Sequence, residues 1–362
     1  MKVILTIAAG RRLSMSGLIP QLLKQEGWDE LHIWINTKED DDVAFLVKLP
    51  ELDTRIRLKF IKPEVLEEGS GGTLVKFEKA GNLGKWWPEN CTDPDAIYVR
   101  FDDDIVFVEE GTVKALVEAR LQNPDPYLIF PVIINNGVLA HYLEQEGKIK
   151  DPDGHGYTPY VFDPLIWSGE KCIDIHEQFL DVAAEQGPEY FHINNYMIDP
   201  QHVSINCMCY FGKDIAQWGG EFGLNGEEGF ITCQVPYWNK RGLMIMGSKV
   251  VSHLAFAPQR AHWEGGTDPA EVGTYTNCLQ KGLPIDRNLQ SRIQFDEDFR
   301  DKVVKRIELW NKHLTVLEKY RSLHSKLYDI DAFPISHSTW DWPDILAEIQ
   351  YRKHNHNNEG TK

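Results

Sequence analysis

Ile97-Tyr98-Val99-Arg100-Phe101-Asp102-Asp103-Asp104-Ile105-Val106-Phe107-Val108 is the stretch that decides the fold. Two apolar runs rich in β-branched and aromatic residues flank three consecutive aspartates. Runs of this length and composition predict buried strands. Three carboxylates between two buried strands repel one another, and a desolvated charge without a partner is costly. A divalent cation at the end of the first strand would remove the conflict. Hard cations such as Mg2+ and Mn2+ take carboxylate oxygens and keep positions open for phosphates. The alternative is a solvated acidic turn, since an acidic triplet is a short motif.

Upstream, Lys2 to Ala9 reads as a first buried strand and Gly10-Arg11-Arg12 as a turn. Ser16 to Gln25 reads as a helix with Leu18, Ile19, Leu22 and Leu23 on one face. Leu31–Ile35 and Ile56–Ile61 are the next strands, separated by an acidic loop in which Asp40 to Asp42 form a solvated turn or a helix start. Strand, helix, strand, strand with short connections opens an α/β domain with a mostly parallel sheet. Ligands of open α/β sheets bind at the carboxyl ends of strands. Arg11 and Arg12 are therefore candidate contacts for a base or phosphate, or else exposed turn residues.

Downstream, 111–122 has helical spacing, and Tyr127–Ile134 is a strand that ends at Asn135-Asn136-Gly137. The stretch from Glu144 to Gln201 shows little periodicity. Long irregular stretches inside compact domains are usually functional, so this one is expected to form the acceptor side of a pocket, with His192, Asn194 and Asn195 among its polar candidates. Met244–Val251 is an apolar strand running into Ser252-His253. Asp296 to Tyr328 is a long helical pattern with Val303, Ile307, Trp310, Leu314, Leu317 and Leu323 near one face. That face would pack on the rest of the chain or pair with a second subunit as a homo-oligomer.

The chain has 362 residues, 42% of them hydrophobic and 11% aromatic, enough for one large domain, or for one domain plus an appendage. Its net charge of −17, from 55 acidic and 38 basic residues, argues against nucleic acid as a partner, because phosphate backbones need clustered Lys and Arg. Six scattered cysteines without a zinc-type pair of pairs predict reduced thiols in a cytoplasmic protein. The apolar run after Met1-Lys2 is short, and no run approaches the about 18 residues of a membrane span.

Together these segments resemble the nucleotide-sugar-dependent glycosyltransferases of the GT-A fold. The carriers are the N-terminal strand set, Gly81-Asn82-Leu83-Gly84-Lys85, the aspartate triplet, the segment Trp218-Gly219-Gly220-Glu221-Phe222-Gly223-Leu224-Asn225-Gly226-Glu227-Glu228, and His253 after an apolar strand. The resemblance spans about residues 1–260 and leaves 261–362 as a loop-rich and helical C-terminal extension. It implies a Rossmann-like mixed sheet, mostly parallel and flanked by helices. It also implies metal-dependent transfer of a sugar from a nucleotide-diphosphate donor, a UDP-sugar by preference, to the hydroxyl of a glycan or other acceptor, with inversion.

In that family Asp-x-Asp ends a strand, its first carboxylate facing the ribose and its last the metal. These roles pass to Asp102 and Asp104, with His253 completing the metal site and Asp102 close to it. An imidazole beside carboxylates favours Mn2+ over Mg2+. Arg11, Lys85, Asp102, Asp103, Trp218 and Gly220 become the candidate donor contacts. Trp86, Trp87, Trp218 and Tyr196 are candidates to stack on rings. Glu228, or else Glu227, becomes the general base. The pair Glu-Glu departs from the commoner Glu-Asp, which leaves the base assignment open. Two other readings fit the same scaffold, a sugar-nucleotide nucleotidyltransferase and a non-catalytic carbohydrate-binding protein.

Overall fold

The computed structural model describes residues 1–37, 40–60, 90–217, 226–263, 272, 276, 278 and 284–329. Its centre is a nine-stranded sheet in the order β3-β2-β1-β4-β8-β6-β9-β5, with β7 paired to β9. The strands are β1 (Lys2–Ala9), β2 (Glu30–Ile35), β3 (Ile56–Phe60), β4 (Ala96–Asp102), β5 (Ile105–Val108), β6 (Ile129–Ile134), β7 (Tyr196–Ile198), β8 (Cys207–Phe211) and β9 (Leu243–His253). β1 to β4 run parallel; β8 is antiparallel to both β4 and β6; β6 and β9 are parallel; β5 and β7 run against β9. The expected mixed, mostly parallel sheet is therefore observed, with six strands pointing one way and three the other.

Burial explains which runs became central strands. β4 is buried along Ala96–Phe101, and all of β6 is buried. Strands covered on both faces read as unbroken apolar runs. Pro131 sits inside β6, where the register with β9 shifts. A bulge tolerates a residue that has no N–H to give to the ladder.

The longer helices are α1 (Arg12–Lys24), α2 (Thr112–Gln122), α3 (Gly137–Gln145), α4 (Gly169–Gln186), α5 (Arg287–Phe295) and α6 (Glu297–Tyr328). α1 begins four residues before the expected Ser16. The Ser14 and Ser16 hydroxyls donate back to the carbonyls of Arg11 and Leu13, at 3.3 and 2.7 Å, so both serines fit inside the buried helix. Asp40–Leu46 is a short helix, so the acidic run starts a helix instead of forming an open turn.

α4 corrects the expectation of an irregular stretch between 144 and 201. Ser168 caps its first turn by accepting from the Lys171 N–H at 3.2 Å. Its buried stripe is Cys172, Ile175, His176, Phe179, Leu180 and Ala183, a helical period partly written in polar letters. α6 matches its expected span, capped by Asp296, whose Oδ1 accepts from the Phe299 N–H at 3.0 Å. Its C-terminal half shares a buried cluster with Phe107 of β5 and Phe179 of α4. Leu317 and Leu323 of its expected apolar face are thus buried within the chain, while Trp310 and Leu314 are partly buried. Its N-terminal half joins α5 in a smaller cluster around Leu289, Ile293 and Val303.

All six cysteines are free thiols, and Cys207 and Cys209 are core residues of β8. Among the described residues, no helix is long and apolar enough to cross a membrane.

Candidate active site

The carboxyl ends of β1, β4, β6 and β9 meet the start of β8 along one edge of the sheet. β4 ends at Asp102, Asp103-Asp104 form a turn, and β5 departs at Ile105. Pairing of Ile105 with His253 brings that histidine beside Asp104, and the Leu254 N–H donates to the Asp104 carbonyl at 2.8 Å. Asn135, which closes β6 with φ of 61°, donates from Nδ2 to the carbonyls of His253 and Leu254, at 3.2 and 3.1 Å. Asparagine is among the few non-glycine residues that take this left-handed conformation readily. The histidine is therefore held by backbone bonds on both sides.

The three aspartates have different partners. Asp103 accepts from the Gly10 N–H at 2.7 Å and from Arg11 Nε at 2.8 Å. It fixes the turn after β1 instead of facing an open pocket. Asp104 Oδ2 accepts from Arg11 Nη1 at 2.7 Å and from Arg260 Nη1 at 2.9 Å. Its Oδ1 faces His253 Nε2 at 3.3 Å. Burial opposes ionisation of Asp104, but Arg11, His253 and Arg260 outweigh it and hold the carboxyl well below the usual range. Asp102 accepts from Arg100 Nη2 at 3.2 Å and from Asn206 Nδ2 at 3.1 Å. Burial, against the pull of Arg100 and with the push of Asp104, raises its carboxyl.

Asp102, Asp104 and His253 each offer a ligand atom, and these atoms lie within 4.8 Å of one another. Asp104 Oδ1 and His253 Nδ1 are buried and without a hydrogen-bond partner among the described residues. A cation would give Asp104 Oδ1, which has only the 3.3 Å approach of His253 Nε2, a close partner. Two carboxylates and an imidazole suit Mn2+ or Mg2+, with the nitrogen favouring Mn2+. The residues present therefore fit a divalent ion.

The acidic pair stands on the short helix Gly226–Gly229. Glu227 forms an ion pair with buried Arg100, which also binds Asp102. Burial raises the Glu227 carboxyl although Arg100 opposes it. Glu228 is more open, with its side chain 37% exposed and its Oε2 3.4 Å from His202 Nε2. The Ile205 N–H donates to its Oε1 at 3.4 Å. Asn206, the next residue, donates to Asp102, so both acidic groups border the same stretch of chain.

Several expectations fall elsewhere. Arg12 turns away from the aspartates to Asp41, at 2.6 Å. His192 binds Glu109, Asn194 and Tyr196 bind Glu146, and Asn195 accepts from the Gly247 N–H. β7 pairs with β9 at Leu243–Ile245. Ile245 lies level with Phe130 of β6 and Ser252 with Ile134, four residues of β6 or roughly 13 Å apart, so β7 pairs at the end of β9 away from His253. Lys85, Trp86, Trp87, Trp218 and Gly220 lie outside the described residues. Arg100, Asn206, His202 and Arg260 are the neighbours that sequence reasoning missed. Arg100 alone carried a signal, a charge inside an apolar strand two residues before Asp102 and so on the same face.

No protein-family model and no curated protein matches this sequence. Solved structures do. A mannosyltransferase from Pyrobaculum calidifontis, in complex with GDP-Man and Mn2+, aligns over 97% of this chain and 84% of its own, with 9% identity and a TM-score of 0.39. GalNAc-T7 with UDP, GalNAc and Mn2+ aligns over 98% of this chain and 58% of its own, with 12% identity and a TM-score of 0.42. A 4-diphosphocytidyl-2C-methyl-D-erythritol synthase from Anaerococcus prevotii covers 70% of this chain and 89% of its own, with 13% identity and a TM-score of 0.33.

Proposed function

We propose that this protein is a metal-dependent glycosyltransferase of the GT-A type, acting with inversion on a nucleotide-diphosphate sugar. Residues 1–260 would carry the chemistry and 261–362 the extension. The observation that carries the reading is the meeting of Asp102, Asp104 and His253 with an open carboxylate, Glu228, along the carboxyl edge of one sheet. Asp102, Asp104 and His253 would hold Mn2+ or Mg2+, which when bound supplies Lewis-acid neutralisation of a departing diphosphate.

The other steps belong to side chains. Arg11 and Arg260 bring two guanidinium groups to Asp104. Guanidinium forks match phosphate oxygens, so they suit the donor diphosphate. Asp102 suits the ribose side. Glu228 takes the proton of the acceptor hydroxyl while the hydroxyl oxygen bonds to the anomeric carbon. The bond from that carbon to the diphosphate breaks, and the nucleoside diphosphate leaves with the electron pair. Glu227, bound to Arg100, is less able to serve as base.

The test is calorimetric titration of UDP and GDP, with and without Mn2+, on the wild type and on Asp104→Ala. Binding of one nucleotide that requires Mn2+ and disappears in Asp104→Ala is the expected result. No binding of either nucleotide in any condition would defeat the proposal.

A further inference from the structure

Three large aromatic side chains are exposed in one short segment: Tyr160 at 54%, Phe162 at 46% and Trp167 at 53%. They are grouped. The Tyr160 and Phe162 rings meet edge to face at 5.4 Å, and Phe162 and Trp167 are stacked at 6.3 Å. Single exposed apolar residues need no explanation, but a contiguous patch beside polar groups marks a binding surface.

The segment is built rigidly. Asp163 accepts from the N–H groups of Thr158 and Leu165, at 2.7 and 2.8 Å, and from the Thr158 hydroxyl at 2.8 Å. At Gly137, the first residue of α3, a side chain would come within 2.8 Å of the Tyr160 carbonyl, so the segment lies close against that helix. The backbone that carries the rings is therefore held in place without a ligand.

The patch touches the candidate active site on two sides. Phe162 meets the His202 ring edge to face at 5.4 Å, and His202 reaches Glu228. On the other side, His262 Nε2 is 2.9 Å from the Trp167 carbonyl, two residues after the Arg260 that binds Asp104. A group lying on Phe162 and Trp167 would border the carboxylate that we assign as base.

We propose that Tyr160, Phe162 and Trp167 form an acceptor platform, and that the acceptor is a saccharide. This rests on the glycosyltransferase reading. A pyranose ring has an apolar face of C–H groups and a rim of hydroxyls. The C–H face stacks on aromatic rings, and the rim reaches a flanking imidazole and carboxylate. A platform with His202 and Glu228 at one edge matches both halves of such a ring. Purely apolar acceptors would leave those polar groups unpaired.

Saturation-transfer NMR tests this, with maltose, cellobiose, lactose and methyl α-mannoside as probes and with a serine-containing peptide and octanol as controls. Wild type is compared with Trp167→Ala, Phe162→Ala and Trp167→Phe, and Mn2+ with UDP or GDP is titrated in parallel. At least one saccharide should receive saturation on its ring C–H protons. Its affinity should fall about tenfold or more in the alanine variants and be retained in Trp167→Phe. Nucleotide binding should be unchanged in all three. Saccharide binding indifferent to the alanine changes, or no saccharide binding while nucleotide binds, would overturn the platform. Preference for the peptide or octanol at Trp167 would overturn the saccharide assignment. Saccharide binding lost in Trp167→Ala, in a protein that binds no nucleotide, would uphold the platform and overturn the transferase reading instead.

Discussion

Arg260 Nη1 donates to Asp104 Oδ2 at 2.9 Å, across 156 positions of sequence. The guanidinium thereby neutralises a carboxylate that also belongs to the candidate metal site. A cation at Asp104 must share that carboxylate with Arg260 and Arg11. Two unit charges about 4 Å apart interact by about 4 kcal/mol at an effective dielectric constant of 20. Arg260 is partly exposed, so a fraction of that applies. Arg260→Met should therefore tighten Mn2+ binding in the absence of nucleotide, by about tenfold. Calorimetry with Mn2+ alone checks it; unchanged or weaker binding would separate Arg260 from the metal site.

Glu228→Gln and Glu227→Gln should part company. The first removes an open carboxylate that touches Ser204 and His202 at 3.4–3.5 Å. It should lower kcat by about 10²–10⁴-fold and leave nucleotide affinity intact. The second removes the charge facing buried Arg100 and should lower stability by about 1.5–3 kcal/mol. Steady-state kinetics with whichever donor binds, together with urea unfolding, read both. Equal loss of kcat in the two variants would contradict the division of roles.

His324 makes stability fall in acid. Its side chain is buried against the Phe107 ring at 4.5 Å, and neither ring nitrogen has a partner among the described residues. Burial pushes its imidazole down to about 3. The unfolded chain therefore takes up a proton below about pH 6.5 that the folded chain refuses until about pH 3. The resulting stability is present above pH 6.5 and is lost as pH falls through that window, by up to about 1.4 kcal/mol per pH unit. His324→Leu should flatten the slope of unfolding free energy between pH 4 and 6, measured by urea melts. An unchanged slope would rule out His324 as its source.

The sheet and the meeting of Asp102, Asp104 and His253 were legible because they are written in continuous apolar runs ending in charge. β1, β4 and the strand before His253 follow that rule. α4 was not, because its buried stripe includes Cys172 and His176, and α4 begins at a serine cap in a loop-rich region. Arg260 and Asn206 were invisible for another reason. Their meeting with the aspartates depends on antiparallel β8 and on the β5–β9 pair, which no local spacing announces. The acceptor candidates failed on the same ground. His192 and Asn194 are polar and lie in the right stretch of sequence, but they bind Glu109 and Glu146 instead of facing the aspartates. The aromatic residues of that same stretch, not its polar ones, border Glu228 through His202.

Tyr320 ties the C-terminal helix to the strand that carries His253. Its hydroxyl lies 2.7 Å from Ser252 Oγ and 2.7 Å from His176 Nδ1, and all three side chains are buried. Tyr320→Phe keeps the ring in place but strands two polar groups, and leaving a buried donor or acceptor unmade costs about 1–3 kcal/mol each. Ser252 and His176 still lie 3.4 Å apart, so part of the loss can be recovered between them. The expected drop is therefore about 1–3 kcal/mol, seen as a lower urea midpoint. Because Ser252 adjoins His253, Mn2+ affinity should fall as well, through a histidine less firmly held. A loss of stability with Mn2+ affinity unchanged would mean that the Asn135 bonds to the His253 and Leu254 carbonyls suffice to position the imidazole without α6.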